Sequence, residues 1–145
     1  MYMRMSESDR INYIREVFAR QDDALANVGK DLSEGEIKMQ IGSDEGKILH
    51  TLIHMVGAEK IVEIGSLSGY SAIWMARALP EGGKLYAVER DVRRIEPIQN
   101  NLKNCGVENK VELICGEALE MLSGLEDKAP FDVVFIDADK AKYCN

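Results

Sequence analysis

Lys60-Ile61-Val62-Glu63-Ile64-Gly65-Ser66-Leu67-Ser68-Gly69-Tyr70-Ser71 is the stretch that decides the fold. Its first five residues form a short β-rich run, which predicts a strand ending at Gly65. A helical stretch from about Gly69 to Leu79 follows, and Pro80-Glu81-Gly82-Gly83 then turns the chain. The unit is strand, tight loop, helix, turn.

Downstream the unit repeats. Lys84 to Glu89 predicts a strand, Val92 to about Asn104 a helix, Lys110 to Cys115 a strand and Glu117 to Leu122 a helix. A last strand, Phe131 to Asp137, follows the Ala129-Pro130 break. Strands alternating with helices at this spacing predict an α/β fold, a doubly wound parallel sheet with right-handed crossovers and helices on both faces. Upstream, Ser6 to Asp9 has the pattern of a capping box. Ile11, Ile14, Val17, Phe18, Leu25 and Val28 then recur at mostly helical spacing as far as Gly29. A second helix is predicted from near Ser43, with Ile48, Leu49, Leu52, Ile53 and Val56 as one apolar stripe and Gly57 as its stop.

With 145 residues and 46% hydrophobic content, the chain suits one domain with a single core. The net charge of −7 disfavours non-specific binding to duplex DNA, because counterion release needs Lys and Arg against phosphates. It leaves room for a structured RNA held by a local basic patch. Cys105, Cys115 and Cys144 form neither a CxxC pair nor a disulfide framework, so reduced thiols and a cytoplasmic location are predicted. No run approaches the roughly 18 apolar residues of a membrane span, and Met1 to Arg20 lacks the apolar core of a signal peptide. No membrane partner is expected.

In doubly wound sheets ligands lie outside the carboxyl ends of the strands. The Gly65 to Ser71 loop offers close backbone approach and the free N–H groups of a helix start, which suit a carboxylate or a phosphate equally. A turn serving only strand-to-helix geometry is the alternative. Glu89 ends the next strand, roughly 20 residues on, where an acid can accept hydrogen bonds from ribose hydroxyls. Its own alternative is a solvated carboxylate near a helix start. Loop and acid together favour a nucleoside. The GxGxxG fingerprint of a dinucleotide site is missing, which leaves a nicotinamide-dependent oxidoreductase a minor alternative. A sulfonium cofactor matches better, because its positive charges suit the carboxylates Glu63 and Asp137. Gly116-Glu117-Ala118 is placed to frame an adenine edge. Asp137, at the tip of the last strand, is a hard oxygen donor suited to Mg²⁺ or Ca²⁺, and Lys140 is a candidate base for a substrate hydroxyl.

Glu63 to Ser71, Tyr86-Ala87-Val88-Glu89 and Phe131 to Lys140 together resemble the cation-dependent O-methyltransferases related to catechol and caffeoyl-coenzyme A methyltransferases. Met39 to Gly46 resembles that family's segment before its Rossmann-like core. The resemblance implies a division into N-terminal helices, residues 1–57, and a Rossmann-like core, residues 58–145, incomplete at its C-terminal end. It implies S-adenosylmethionine as cofactor, with Ile41, Glu63, Gly65, Ser66 and Ser71 at the methionine end, Glu89 at the ribose and Glu117 with Ala118 at the adenine. Asp137 would hold Mg²⁺ or another divalent cation, and Lys140 would act as base. The acceptor would be a small-molecule hydroxyl, an aromatic diol or a modified tRNA base. Members of that family extend well beyond this length, so a catalytically incomplete cofactor-binding fragment is the alternative function. The last strand is then an edge strand with an uncovered apolar face, and a homodimer is one way to cover it.

Other residues have plainer readings. His50 and His54 are one helical turn apart but lack the Glu of a zinc protease motif, and read as ordinary helix-flank histidines. Trp74 and Met75 read as core. Lys84, Arg90, Arg93 and Arg94 read as a solvated face, and Cys115 as a buried structural thiol.

Overall fold

The computed structural model of the chain describes residues 6–138. The run quoted first forms β1 (Lys60–Ile64), which pairs in parallel with β2 (Lys84–Glu89) on one side and with β4 (Val133–Ile136) on the other. β3 (Val111–Cys115) adds beyond β2, giving the order β3-β2-β1-β4. Successive crossovers through α5 (Tyr70–Ala78) and α6 (Val92–Asn104) carry the chain from β1 towards β3. The connection containing α7 (Ala118–Ser123) then returns it to the far side of β1. The winding direction therefore reverses between β1 and β4, and the carboxyl ends at that reversal are where such a sheet leaves a crevice.

Alternation along the strands sorts the core into two faces. Ile61, Leu85, Ala87 and Val111 meet Ile73 and Met75 of α5 and Ile98 and Leu102 of α6. Val62, Ile64, Tyr86 and Val88 form a smaller cluster with Leu125, backed by Met121, Leu122 and Phe131. Tyr86 and Phe131 meet edge to face at 5.8 Å. β4 is an edge strand among the described residues, as predicted, and Val134 and Ile136 keep 56% and 55% of their surface exposed.

The N-terminal region departs from its periodicity. The predicted helix running to Gly29 is broken into α1 (Glu7–Phe18) and α2 (Asp23–Ala26). Asp22 causes the break: its carboxylate accepts the Leu25 N–H at 2.8 Å and an Arg77 N–H at 2.7 Å, so it caps a new helix rather than continuing the old one. α1 buries none of its residues, and Tyr13, Ile14, Val17 and Phe18 are exposed. A short α3 (Glu34–Ile37), absent from the sequence reading, is closed by a Ser33/Glu36 capping box.

α4 (Ser43–Val56) begins and ends where predicted, with Gly57 left-handed at φ +65°. Its apolar stripe divides, however. Leu49 and Ile53 join the core, whereas Ile48, Leu52 and Val56 are exposed. Gly46 lets α4 lie close on α5, since a Cβ there would come within 2.3 Å of the Trp74 ring. Trp74 and Met75 are core residues, as predicted.

Candidate functional site

The turn after β1 depends on two backbone conformations. Gly65 has φ +91°, and a Cβ at this position would lie 2.7 Å from the Asp137 carbonyl oxygen. Glycine is therefore what lets the turn pass against the end of β4. Leu67 is left-handed at φ +53°, a region that leucine disfavours and that persists where the surroundings impose it. Those surroundings are specific. Glu89 Oε2 accepts the N–H groups of Ser66 at 3.2 Å and Leu67 at 2.9 Å. The Gly69 N–H donates to the Ser66 carbonyl at 2.7 Å, and Asn101 Nδ2 donates to the Ser68 carbonyl at 3.0 Å. Ser68 Oγ donates to Gln40 Oε1 at 2.6 Å, fastening the turn to the chain between α3 and α4.

Beneath the turn Glu63 is completely buried. Its Oε2 accepts from Ser66 Oγ at 2.8 Å, and its Oε1 accepts from Ser71 Oγ in the first turn of α5. Burial pushes the Glu63 carboxyl up to about 7, against the two hydroxyls, which favour the ionised form; the charges of Asp137 and Glu89 push it further upward. Glu63 is thus a carboxyl divided between its two protonation states near neutral pH. The helix start above it has as its N-cap Gly69, which has no side chain to cap the free N–H groups of the first turn.

Glu63, Ser66, Ser71 and Glu89 therefore form one hydrogen-bonded unit, Gly65 ties the turn to β2 by donating its N–H to the Val88 carbonyl at 2.9 Å, and the backbone of Asp137 lies against Gly65. The Asp137 N–H donates to the Ile64 carbonyl at 3.0 Å. Ile41 stands just before α4 and, with Glu45, Ile48, Leu49 and Phe135, lines a mainly apolar recess of about 200 Å³. Glu117 and Ala118 stand at the start of α7, beside Gly116, whose N–H donates to the Glu89 carbonyl at 3.0 Å. Glu117 is exposed, and Ala118 packs on the smaller core cluster. Lys140 lies outside the described residues.

Among the described residues no three His, Cys, Asp or Glu side chains converge as a metal site. Asp137 is a single candidate ligand, too few for a divalent cation unless water, substrate or other residues complete the set. His50 is committed elsewhere, its Nδ1 lying 3.2 Å from the Trp74 carbonyl oxygen. Two further expectations change. Cys115 is exposed, at the carboxyl end of β3, an edge strand among the described residues. Arg94 is largely buried and ties α6 to α3 through Glu36 at 2.7 Å. Gln40 and Asn101 hold the turn although the sequence reading gave them no role there. Gln40 lay inside a quoted motif, but Asn101 carried no signal beyond its place on an amphipathic helix.

The architecture is a doubly wound α/β domain of the methyltransferase type, shared with the O-methyltransferase TomG from Streptomyces achromogenes, solved in complex with SAM. That likeness has a TM-score of 0.84 and 35% identity, covering 94% of this chain and 64% of that one. An O-methyltransferase from Bacillus cereus in complex with SAH matches with a TM-score of 0.80 and 33% identity, over 89% of this chain and 60% of that one. The O-methyltransferase family model matches residues 18–145, and the chain belongs to that family. A catechol O-methyltransferase of Niastella koreensis is 38% identical over 135 residues, 91% of this chain and 61% of the relative. One from Mycobacterium tuberculosis is 37% identical, over 82% of this chain and 54% of the relative. The chain thus spans between 54% and 64% of the length of these four proteins.

Proposed function

We propose that this chain carries the S-adenosylmethionine-binding part of an O-methyltransferase that moves a methyl group to a hydroxyl of a small molecule, catechol-like or another vicinal-oxygen acceptor, with help from Mg²⁺ or a similar divalent cation. The observation that carries the reading is the hydrogen-bonded unit of Glu63, the Gly65 to Ser71 turn and Glu89 at the carboxyl end of β1, where the sheet reverses its winding. Its donor and acceptor chemistry suits the cofactor. The α5 start, with a glycine as its N-cap, suits the methionine carboxylate, with Ser71 in its first turn, and Ile41, just before α4, is assigned to the same end of the cofactor. Glu89 at the end of β2 suits the ribose, and Glu117 with Ala118 the adenine side. Gly65 and Ser66 shape the floor.

When bound, the cofactor supplies a methyl group on a sulfonium sulfur, which leaves as a thioether once the methyl has moved to oxygen. The chain's own contribution is to hold the acceptor oxygen in line behind that methyl and to take the hydroxyl proton, for which Lys140 is the candidate base. Asp137 is the candidate metal ligand, and the described residues do not complete its site. The relatives from Niastella koreensis and Mycobacterium tuberculosis are named for catechol, which makes catechol the first acceptor to assay.

Calorimetry with S-adenosylhomocysteine tests the cofactor step, and no heat at millimolar ligand would end the proposal. Methyl transfer to catechol that EDTA abolishes tests the rest. A second reading, a binding module without turnover, is favoured by the single metal-ligand candidate among the described residues; it predicts the heat and no methylated product. We further place the protein in the cytoplasm, on its free thiols Cys105 and Cys115, and as a homodimer, on the exposed apolar side chains of β4. Light scattering that found only monomer would remove the dimer.

A further inference from the structure

Glu89 is only 7% exposed, and its carboxylate meets three backbone N–H groups, two of them in the turn and the third that of Asp91, which donates to Oε1 at 2.9 Å. A carboxylate offers about four acceptor positions, so most of its capacity is committed to the protein before any sugar arrives. The other contacts of the turn do not duplicate this. Asn101 and the Gly69 N–H reach the carbonyls of Ser68 and Ser66, and Glu63 takes the Ser66 hydroxyl rather than its amide. The N–H groups of Ser66 and Leu67 depend on Glu89, and Leu67 is the residue in the disfavoured left-handed conformation.

We propose that Glu89 is a positioning residue for the whole nucleoside seat: its carboxylate fixes the backbone of Ser66, Leu67 and Asp91 in the ligand-free protein, so that it shapes the methionine end as well as any sugar contact. An ionised acceptor makes the stronger class of hydrogen bond with backbone N–H, and three such bonds converge here from both sides of the strand end. The two flanking segments, the turn after β1 and the start of α6 at its Asp91 cap, are thereby coupled through one side chain.

The test reads amide hydrogen exchange in the ligand-free chain, which needs no cofactor to bind. Glu89→Ala should speed exchange at Ser66, Leu67 and Asp91 by about tenfold or more, with β-sheet amides such as that of Val62 unchanged. Glu89→Gln separates positioning from simple packing. Its carbonyl oxygen can still accept from Ser66 and Leu67, whereas its NH₂ faces the Asp91 N–H, so the first two amides should recover and the third should stay fast. Should Glu89→Ala fail to fold, the Glu89→Gln pattern decides alone. Equal exchange at all three amides in Glu89→Gln and the unsubstituted chain would overturn the proposal.

A ligand arm rests on the proposed cofactor site. Glu89→Gln should weaken both S-adenosylhomocysteine and its 2′,3′-dideoxy counterpart; a loss confined to the ligand bearing the hydroxyls would make Glu89 a sugar ligand only and overturn the positioning role. If neither ligand binds the unsubstituted chain while the exchange pattern holds, the cofactor reading fails and the positioning role stands.

Discussion

Replacing Glu63 by Gln should change how stability depends on pH, by an amount that follows from the burial of this one carboxyl. Its value rises from 4.5 to about 7 in the folded protein. Between those limits the folded state holds a proton that the unfolded chain has released, so stability falls as pH rises through the window and levels off above it. The full gap corresponds to roughly 3 kcal/mol, and the part between pH 5 and pH 8 to roughly 2–3 kcal/mol. Glu63→Gln removes the titration and keeps a side chain of the same shape, with a carbonyl oxygen still able to accept from Ser66 or Ser71. The variant should therefore gain roughly 2–3 kcal/mol on the unsubstituted chain between pH 5 and pH 8. Urea unfolding followed by the fluorescence of Trp74, the one tryptophan of the chain, measures both proteins at both pH values. Other groups titrate alike in the two proteins and cancel in the difference. A difference that stays constant, or that moves against the variant at high pH, would refute a Glu63 carboxyl raised by burial.

Ser71→Ala removes one of the two hydroxyls that favour ionised Glu63, so it should destabilise more at pH 8 than at pH 5, by about 1–2 kcal/mol, in the same unfolding assay. Gly65→Ala places a methyl group against the Asp137 carbonyl in a conformation with φ +91°, and should cost about 2 kcal/mol or more, together with S-adenosylhomocysteine binding in calorimetry. Gly46→Ala drives a methyl group into the Trp74 ring; a loss of about 1–3 kcal/mol and a shifted Trp74 emission are expected, and an unchanged spectrum would mean that α4 and α5 do not touch there.

The sheet was legible because its strands carry their signals locally. β2 and α6 have the bounds read from the sequence, since Glu89 ends a β-rich run and Asp91 caps the helix that follows. The Gly65 to Ser71 turn was legible as a turn, but its construction was not. Spacing placed Glu89 beside the loop without revealing that its carboxylate would meet loop amides, because that contact is made by pairing β1 with β2. The left-handed Leu67 gave no sign, since sequence reading assigns positive φ to glycine. At the N-terminus, periodicity carried the first helix through Asp22, where a capping contact joined to Arg77, distant in sequence, was stronger than local helical preference. Lys140 falls outside the described residues, so its role beside Asp137 rests on its place in the sequence and on the resemblance.

The pairing of β1 with β4 also sets a delay during synthesis. Asp132, just before β4, accepts the N–H of Lys60 across 72 residues of chain. At about 5–20 residues per second a ribosome needs roughly 4–14 s to make that span. For that time β1 lacks its β4 neighbour, and a chaperone acting on the nascent protein would find its target at Ile61, Val62 and Ile64.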